Sequence, residues 1–263
     1  MDIIVCIKQV PDTTDVKIDP KTGTLIREGV PSIINPDDKH AIEEALCLKE
    51  KYGGTVKVIS MGPPQAMAAL REAYAMGVDE TILLSDRAFA GADTWATAFT
   101  LAAGVKKTGK YDIIFCGLQA IDGDTAQIGP QLAESLDIPQ VTYVQGLEVD
   151  GSTVKVERAL EDGHMALECE MPVLLTTIKA LNDPRYPTVG GLVDAYREHE
   201  VKVWSAADIR ADPLKIGLPG SPTQVKRSFA PQAKRAGEIM EGESVEEKVK
   251  KLVDRLEDRN VVR

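Results

Sequence analysis

Short apolar runs alternate with helical segments over the first 140 residues, and this alternation is the strongest constraint on the fold. The apolar runs predict buried strands at 3–7, 56–59, 81–84 and 111–116. Apolar residues at helical spacing predict helices at about 38–52, capped by Asp37 or Asp38, and at 63–76, 95–105 and 125–136. Because right-handed crossovers force successive strands parallel, the pattern predicts an α/β fold with a doubly wound, mostly parallel sheet and helices on both faces.

From about residue 140 the pattern changes to strands joined by tight turns. Strands are predicted at 141–149, 154–158 and 165–177, with turns at Asp150-Gly151 and Asp162-Gly163. We expect them to form an added antiparallel segment, about 140–178, at the edge of an α/β domain that spans 1–209. A loop and a short helix are expected at 181–200.

Residues 210–263 predict an extended C-terminal arm that ends in a helix. The stretch 210–242 is rich in Pro and Gly, and a compact monomer rarely keeps so long an irregular segment. The following residues, 244–259, place their apolar side chains on one stripe of a capped helix. We therefore expect the arm to wrap around a partner, and a disordered tail with a weak helix is the alternative.

The charge balance and the scattered cysteines exclude several kinds of function. With a formal net charge of -10 at pH 7, the chain is poorly suited to bind the phosphate backbone of nucleic acids or an anionic membrane surface. No apolar stretch approaches the ~20 residues of a membrane-spanning helix, and no secretory signal is recognisable, so a cytoplasmic location is expected. The four cysteines form no CxxC pair and lie far from the histidines, which predicts no metal site.

The loop after the fourth apolar run is the strongest candidate for a binding site, because ligands of doubly wound sheets bind outside the carboxyl ends of the strands. Its sequence, residues 117–129, is GLQAIDGDTAQIG. The small residues that would let a ligand approach the backbone are Ala120, Gly123, Ala126 and Gly129. Unpaired amides at the start of the next helix favour a pyrophosphate, with Thr125 and Gln127 as hydrogen-bonding side chains. The alternative interpretation is an ordinary Gly-rich connection in which Asp124 caps that helix and binds no ligand.

Two further loops are predicted to reach the same edge of the sheet. Lys8 follows the first strand, and Met61-Gly62 follows the second and opens a helix with a second set of free amides. Asn35, before the first helix, is placed to hydrogen-bond an adenine or a ribose. Free backbone amides at the tips of strands one, two and four are thus expected to form a cradle for a diphosphate. No side chain here is an obvious acid, base or nucleophile, so no catalytic residue is predicted.

These motifs, in this order, resemble those of the β subunits of electron-transferring flavoproteins over nearly the whole chain. The matching stretches are 5–12, 34–36, 43–45, 61–63, 119–122 and 181–186. The stretch 156–163, continued at 172–176, resembles the signature of that family. The resemblance implies a heterodimer with a larger α subunit that carries FAD, and an adenine nucleotide held by the β subunit at the edge described above.

By position, the resemblance assigns a set of residues to the nucleotide pocket: Cys6, Lys8, Asn35, Met61, Gly62, Ala120, Asp122, Gly123, Asp124, Thr125, Ala126 and Gln127. Ordinary members of the family hold AMP there, whereas members that perform electron bifurcation hold a second FAD and accept hydride from NADH. The motifs at 8–13 and 122–127 resemble the bifurcating branch, and Gly123 and Ala126 leave room beside a pyrophosphate. FAD is therefore expected, with AMP as the alternative.

The resemblance also implies partners. Electrons would pass from NADH to an acyl-CoA dehydrogenase or related flavoenzyme and to a low-potential acceptor such as ferredoxin or flavodoxin, with redox activity only in complex with the α subunit. Residues 181–200 correspond to the docking loop of the family, with Val189 as the anchor and Leu192 beside it. The alternative is that both pack internally. Two other functions stay open: a simple carrier with structural AMP, and a nucleotide-binding regulator of the universal-stress type, which shares this kind of sheet.

Overall fold

The helices and strands of the computed structural model follow the predicted alternation over the residues that it describes, 1–12, 31–226 and 237–262. The helices are Pro36–Tyr52 (α1), Met67–Met76 (α2), Thr94–Thr108 (α3), Ile128–Leu136 (α4), Val189–Arg197 (α5) and Val245–Asp258 (α6). The strands are Asp2–Cys6 (β1), Gln9–Pro11 (β2), Ser32–Ile34 (β3), Thr55–Met61 (β4), Glu80–Leu84 (β5), Ile113–Gly117 (β6), Gln140–Asp150 (β7), Thr153–Leu160 (β8), Gly163–Glu170 (β9), Val173–Thr177 (β10) and Lys202–Trp204 (β11).

Nine of these strands form one sheet, in the order β11-β5-β4-β1-β6-β10-β7-β8-β9. From β11 to β7 every neighbouring pair is parallel. β8 and β9 extend the β7 edge antiparallel, and β2 and β3 pair separately as a small antiparallel sheet. The predicted fold class, a doubly wound and mostly parallel α/β sheet with an added antiparallel segment, is confirmed.

The central strand β1 is buried on both faces, which explains its unbroken apolar sequence. Ile3 and Val5 belong to one core cluster together with residues of α1 and α2. Ile4 and Cys6 belong to another cluster together with residues of α3 and α4. Because successive side chains of a strand point to opposite faces, the two pairs of helices cover opposite sides of the sheet.

The strand order places a topological switch point between β1 and β6. From β1 the chain continues through α1 to β4 on one side, and from β6 it continues through α4 to β7 on the other. The two connections diverge to opposite faces and leave a crevice at the carboxyl ends of the strands, which is the usual ligand site of open α/β sheets. The candidate loops after β1 and β6 both begin at this crevice.

One predicted strand, at 165–177, is in fact two strands. β9 ends at Glu170 and β10 starts at Val173, with Pro172 between them. Proline has no amide hydrogen to donate to a strand ladder, which favours an interruption there. β9 pairs antiparallel with β8 at the edge, whereas β10 pairs parallel with both β6 and β7 inside the sheet. The expectation of a single antiparallel strand is therefore wrong.

Contacts divide the chain into two compact units, with the division between Arg227 and Ser228. The first unit includes the beginning of the predicted arm, which is hydrogen-bonded to the start of α3. Asp93 Oδ2 accepts hydrogen bonds from the amide and the hydroxyl of Thr223, both at 2.9 Å. This part of the arm is therefore folded onto the α/β unit.

The second unit contains helix α6. Ser244 caps it, since its Oγ accepts the amide of Glu247 at 3.2 Å, and the helix has no buried residue. Of the predicted irregular stretch 210–242, residues 227–236 lie outside the described residues. Within the described ranges, no helix combines the length and the apolar composition needed to cross a membrane.

Candidate functional site

The carboxylate of Asp38 lies at the crevice between β1 and β6 and links the ends of the two strands. Its Oδ2 accepts the amide of Lys8 at 2.7 Å, and its Oδ1 accepts the amide of Gly117 at 3.2 Å. Glycine at 117 permits this approach, because a Cβ there would lie 2.3 Å from Asp38 Oδ1. The amides at the tips of these two strands are thus bonded to protein, and the prediction that they are free is wrong.

Asn35 connects this carboxylate to the loop that follows β6. The side chain is fully buried. Its Nδ2 donates to Asp38 Oδ1 at 3.1 Å and to the carbonyl oxygen of Gln119 at 2.8 Å, and its Oδ1 accepts the amide of Ile121 at 3.0 Å. These bonds engage the amide group with the protein, where the sequence predicted a bond to adenine or ribose.

The loop after β4 does not supply the second set of free amides that was predicted. The amide of Gly62 donates to the carbonyl oxygen of Leu84 at 3.0 Å, and that of Ala66 donates to Pro63 at 2.9 Å. Pro63 and Pro64 have no amide hydrogen. Met61 and Gly62 lie half-buried at the carboxyl end of β4, so this loop contributes surface rather than donors.

A run of free donors at this edge extends from the end of the loop after β6 into the start of α4. Among the described residues, no acceptor is found for the backbone amides of Thr125, Ala126, Gln127, Ile128 and Gly129. These amides are at the amino terminus of a helix, where the helix dipole adds positive potential. Residues 118–129, called the cradle loop below, are therefore the part of the edge suited to a phosphate group.

The backbone of the cradle loop turns neighbouring amides toward a common side. Asp124 and Ala126 have positive φ angles of 53° and 52° although neither is glycine. Ala126 is followed by Gln127 in the right-handed region, with φ -107° and ψ -23°. A left-handed residue next to a right-handed one makes consecutive N–H groups converge on a concave site that binds anions. Each left-handed residue costs ~1 kcal/mol or more, and such strain is typical of ligand sites.

The following helix starts later than predicted, and the alternative interpretation with Asp124 as its cap is not supported. Helix α4 begins at Ile128 rather than near Thr125, because the left-handed residues interrupt the helical backbone. Asp124 does not cap it, since its carboxylate instead accepts Gln119 Nε2 at 2.5 Å and the helix has no side-chain cap.

Two glycines of this region, Gly123 and Gly129, have different surroundings. A Cβ on Gly129 would lie 2.4 Å from Thr176 Cγ2 in β10, so glycine is needed there for α4 to pack on the sheet. Around a Cβ on Gly123, no atom of the described residues lies within 4 Å. The space beside the cradle loop is therefore open at Gly123, as predicted, whereas Gly129 serves packing.

A lysine lies beside the cradle loop. Lys8 Nζ is 2.5 Å from Asp122 Oδ1, an ion pair that joins the segment after β1 to the loop after β6. The Lys8 side chain is 42% exposed, whereas that of Asp122 is 6% exposed. An ammonium group has three donors, so Lys8 is able to contact a phosphate as well as Asp122.

Comparison with models of protein families gives a match over residues 22–209 to the Electron transfer flavoprotein domain. The chain belongs to the electron transfer flavoprotein family. It is 60% identical over 262 residues to the electron transfer flavoprotein subunit beta of Thermoanaerobacterium thermosaccharolyticum, and 58% identical over 262 residues to that of Clostridium acetobutylicum, with 100% of each chain covered. It is also 55% identical over 263 residues, again with 100% of both chains covered, to the caffeyl-CoA reductase-Etf complex subunit CarD of Acetobacterium woodii. These similarities place the chain with the β subunits of the family.

The residues that the electron transfer flavoprotein resemblance assigned to a pocket fall into two groups. Cys6 and Asn35 are buried behind the crevice. Those at its mouth, all at least partly exposed, are Lys8, Met61, Gly62, Ala120, Asp122, Gly123, Asp124, Thr125, Ala126 and Gln127. Cys6 lies opposite Cys116 in the β1–β6 ladder. A hydrogen bond with Cys6, burial and the charge of Asp38 all raise the pKa of the Cys116 thiol, which therefore stays protonated in the core.

Asp38 is the residue of this site that sequence reasoning missed, because a helix cap was expected at Asp37 or Asp38. Burial raises the pKa of Asp38 to about 7, while hydrogen bonds from Asn35, Lys8 and Gly117 act in the opposite direction. The N-cap of α1 is Asn35, without a side-chain cap. A signal was present in the sequence, since side chains in the first turn of a helix point back past its amino terminus, here toward the strand ends.

The residues expected to dock a partner of this electron transfer flavoprotein lie on α5. Val189 is 81% exposed and Leu192 is 39% exposed, so neither packs in the core. Tyr186 and Tyr196 are also exposed, at 91% and 61%. Residues 181–199, called the docking segment below, therefore carry an apolar surface that is not covered within its own unit.

Proposed function

We propose that this chain holds FAD at the crevice, as the β subunit of a heterodimeric electron transfer flavoprotein. The observation that carries the proposal is the run of amides without acceptors from Thr125 to Gly129, which includes the left-handed Ala126. Consecutive donors at a helix amino terminus suit the diphosphate of an adenine dinucleotide. The partly exposed Lys8 and the open space at Gly123 support the same kind of ligand.

FAD is favoured over AMP by the extent of the donor run. A diphosphate presents two phosphate groups to the loop where AMP presents one, and the run continues over five residues. The similarity to CarD, which is named as a subunit of a caffeyl-CoA reductase-Etf complex, supports a role with an acyl-CoA reductase. A simple carrier with AMP at the same place is the alternative.

In this function, electrons pass from NADH to an acyl-CoA dehydrogenase or reductase-type flavoenzyme and to a low-potential acceptor, ferredoxin or flavodoxin. When bound, the flavin supplies the redox chemistry. The residues of this chain bind and orient it: the cradle amides hold the diphosphate, Lys8 adds positive charge, and Asn35 and Asp38 fix the loop from behind. The docking segment receives the partner flavoenzyme, and residues 210–263 contact the α subunit.

Co-expression with the α subunit tests the proposal. The purified complex is expected to contain two flavins per heterodimer in its absorbance spectrum and acid extract, and to oxidise NADH. One flavin together with AMP in the extract would favour the simple carrier. A homodimer that binds ATP without a flavoprotein partner would favour the universal-stress type of regulator and contradict the proposal.

The substitution Gly123→Glu tests the position of the diphosphate. Gly123 has open space around it and no positive φ, so a glutamate is accommodated by the fold but places a carboxylate beside the cradle amides. We expect at least a tenfold loss of nucleotide retained by the purified complex, with an unchanged unfolding midpoint of the chain. Gly163→Glu is the matched control, because Gly163 also has open space but is the first residue of β9, outside the cradle loop. Unchanged nucleotide content in Gly123→Glu would show that the ligand binds elsewhere.

A further inference from the structure

The docking segment leaves the sheet after β10 and carries its exposed apolar side chains on a backbone that is fixed by hydrogen bonds. None of the residues 182–194 is buried. Between Leu181, which packs against the core, and the buried Ala195, this stretch is held in part by polar anchors, and Arg185 makes the most hydrogen bonds among them. We infer that Arg185 is a positioning residue for the partner flavoenzyme, because it clamps the docking segment to α1 in the geometry that the partner meets. The inference rests on the proposed docking role of this segment.

Arg185 makes a double clamp with two glutamates of α1. Its backbone amide and its Nε both donate to Glu43 Oε2 at 2.9 Å, and its Nη2 donates to Glu43 Oε1 at 2.9 Å. Its Nη1 donates to Glu50 Oε1 at 2.5 Å, and its Nη2 reaches Glu50 Oε2 at 3.2 Å. Two bidentate pairs on one planar guanidinium fix its orientation as well as its position. A lysine, with a single ammonium group, cannot reproduce this geometry.

The contacts of Arg185 with Glu43 and Glu50 differ in burial, and this difference indicates which of the two contributes more to stability. The Glu43 side chain is 9% exposed and that of Arg185 is 33% exposed, whereas Glu50 is 61% exposed. Burial by itself would raise the pKa of Glu43, but the bonds from Arg185 outweigh it and hold that pKa below the usual value. The contact with Glu43 is therefore the stronger half, because loss of Arg185 would leave a nearly buried carboxylate without its cation.

A second anchor precedes Arg185 and a third follows it. Asn182 Nδ2 donates to the carbonyl oxygen of His40 at 3.1 Å and to Glu44 Oε2 at 3.0 Å. The amide of Thr188 donates to the carbonyl oxygen of Ala75 in α2 at 3.2 Å.

Tyr186 lies between the clamp and the third anchor, and Val189 follows directly after that anchor. The apolar surface is thus ordered before any partner arrives, which reduces the conformational entropy lost on docking.

Steady-state electron transfer from the purified α–β complex to an acyl-CoA dehydrogenase-type flavoenzyme tests the inference. Arg185→Gln is expected to raise the KM for the complex at least tenfold, with kcat within about twofold of the wild type and unchanged flavin and nucleotide content. Arg185→Lys is expected to restore little of the lost affinity. Arg87→Gln is the matched control, since Arg87 is exposed and lies before α3, away from α1.

A double variant separates positioning from stability. Adding Glu43→Gln to Arg185→Gln removes the carboxylate charge that the single variant leaves unpaired, so the unfolding midpoint should recover. The KM should stay high, because the contact between Arg185 and α1 is still absent. Recovery of the KM together with the midpoint would overturn the positioning role. A wild-type KM in Arg185→Gln would overturn it as well, provided that Val189→Asp raises the KM. A wild-type KM in Val189→Asp would instead overturn the proposed docking role of the segment.

Discussion

Asp38 lies in the crevice with donors on both carboxylate oxygens. The amide of Lys8 faces Oδ2, and the amide of Gly117 and the Asn35 side chain face Oδ1. Protonation would turn one acceptor into a donor and break one of these bonds. Burial acts against the charged form and raises the pKa to about 7. The charge in the crevice therefore changes close to neutral pH.

Comparison of the wild type with Asp38→Asn at several pH values tests this balance. The folded-state pKa of about 7 lies above the ordinary value of 3.8, so between these values the folded protein binds this proton more tightly than the unfolded chain. The contribution of Asp38 to the free energy of unfolding then falls as the pH rises from about 4 to about 7. The free energy of unfolding of the wild type minus that of the variant should therefore decrease over this pH range by on the order of 1.4 kcal/mol per unit of pKa shift. Urea unfolding at each pH measures this difference. A difference that does not change with pH would contradict the assignment.

The cradle loop was predictable from the sequence, but the use of the neighbouring amides was not. A strand followed by a Gly-rich loop and a helix places phosphate-binding donors by local chemistry alone. Which other amides are free depends on partners that are distant in the sequence, such as Asp38 for Gly117 and Leu84 for Gly62. Local patterns carry no information on these pairings, so the amides after β1 and β4 were wrongly expected to be free.

Among the helices and strands, the predictions that held depend on periodicity and those that failed depend on the backbone or on long-range pairing. The buried strands of the first half and the helices between them follow the apolar spacing. The start of α4 was misplaced because Asp124 and Ala126 adopt left-handed conformations, which are uncommon for non-glycine residues and rare for alanine. The strand β10 was joined to β9 because its parallel place between β6 and β7 is set by pairing across the sheet.

The contact of α4 with the sheet predicts the effect of Gly129→Ala. Alanine favours a helix over glycine by ~1 kcal/mol, but the added Cβ would lie 2.4 Å from Thr176 Cγ2 and force α4 away from β10. Overpacking of this kind costs about 1–3 kcal/mol, so we expect a net destabilisation of roughly 1 kcal/mol. Urea unfolding measures it, with Gly163→Ala, which has open space, as the control. A Gly129→Ala variant as stable as the wild type would show that the contact is not tight.

At the scale of the whole chain, helix α6 belongs to a compact unit of its own, separate from the α/β unit in its contacts. Helix α6 has no buried residue, and its exposed apolar side chains include Val245 and Val249, at 71% and 52%. A capped helix with an uncovered apolar stripe gains stability from packing against a partner rather than from its own propensity. This supports the proposed contact of the C-terminal arm with the α subunit.

Truncation after residue 236 tests that contact. The shortened chain should unfold within about 1 kcal/mol of the full chain, since surface segments without burial contribute little. Its co-purification with the α subunit should fall at least tenfold. The double substitution Val245→Ser and Val249→Ser, in the full chain, should weaken co-purification in the same direction. Undiminished recovery of the α subunit with the truncated chain would contradict the proposed role of the arm.

The length of helix α1 fixes the spacing between two sets of polar contacts, one at the crevice and one at the docking segment. Its 17 residues form a helix roughly 25 Å long. Asp38, near its amino terminus, bonds to the end of β6, and Glu43 and Glu50, further along, bond to Arg185. Insertion or deletion of one residue between these positions would rotate one end by about 100° against the other. A change in the length of α1 therefore requires compensating changes at both of its ends, whereas a single substitution leaves the spacing of the two contacts unchanged.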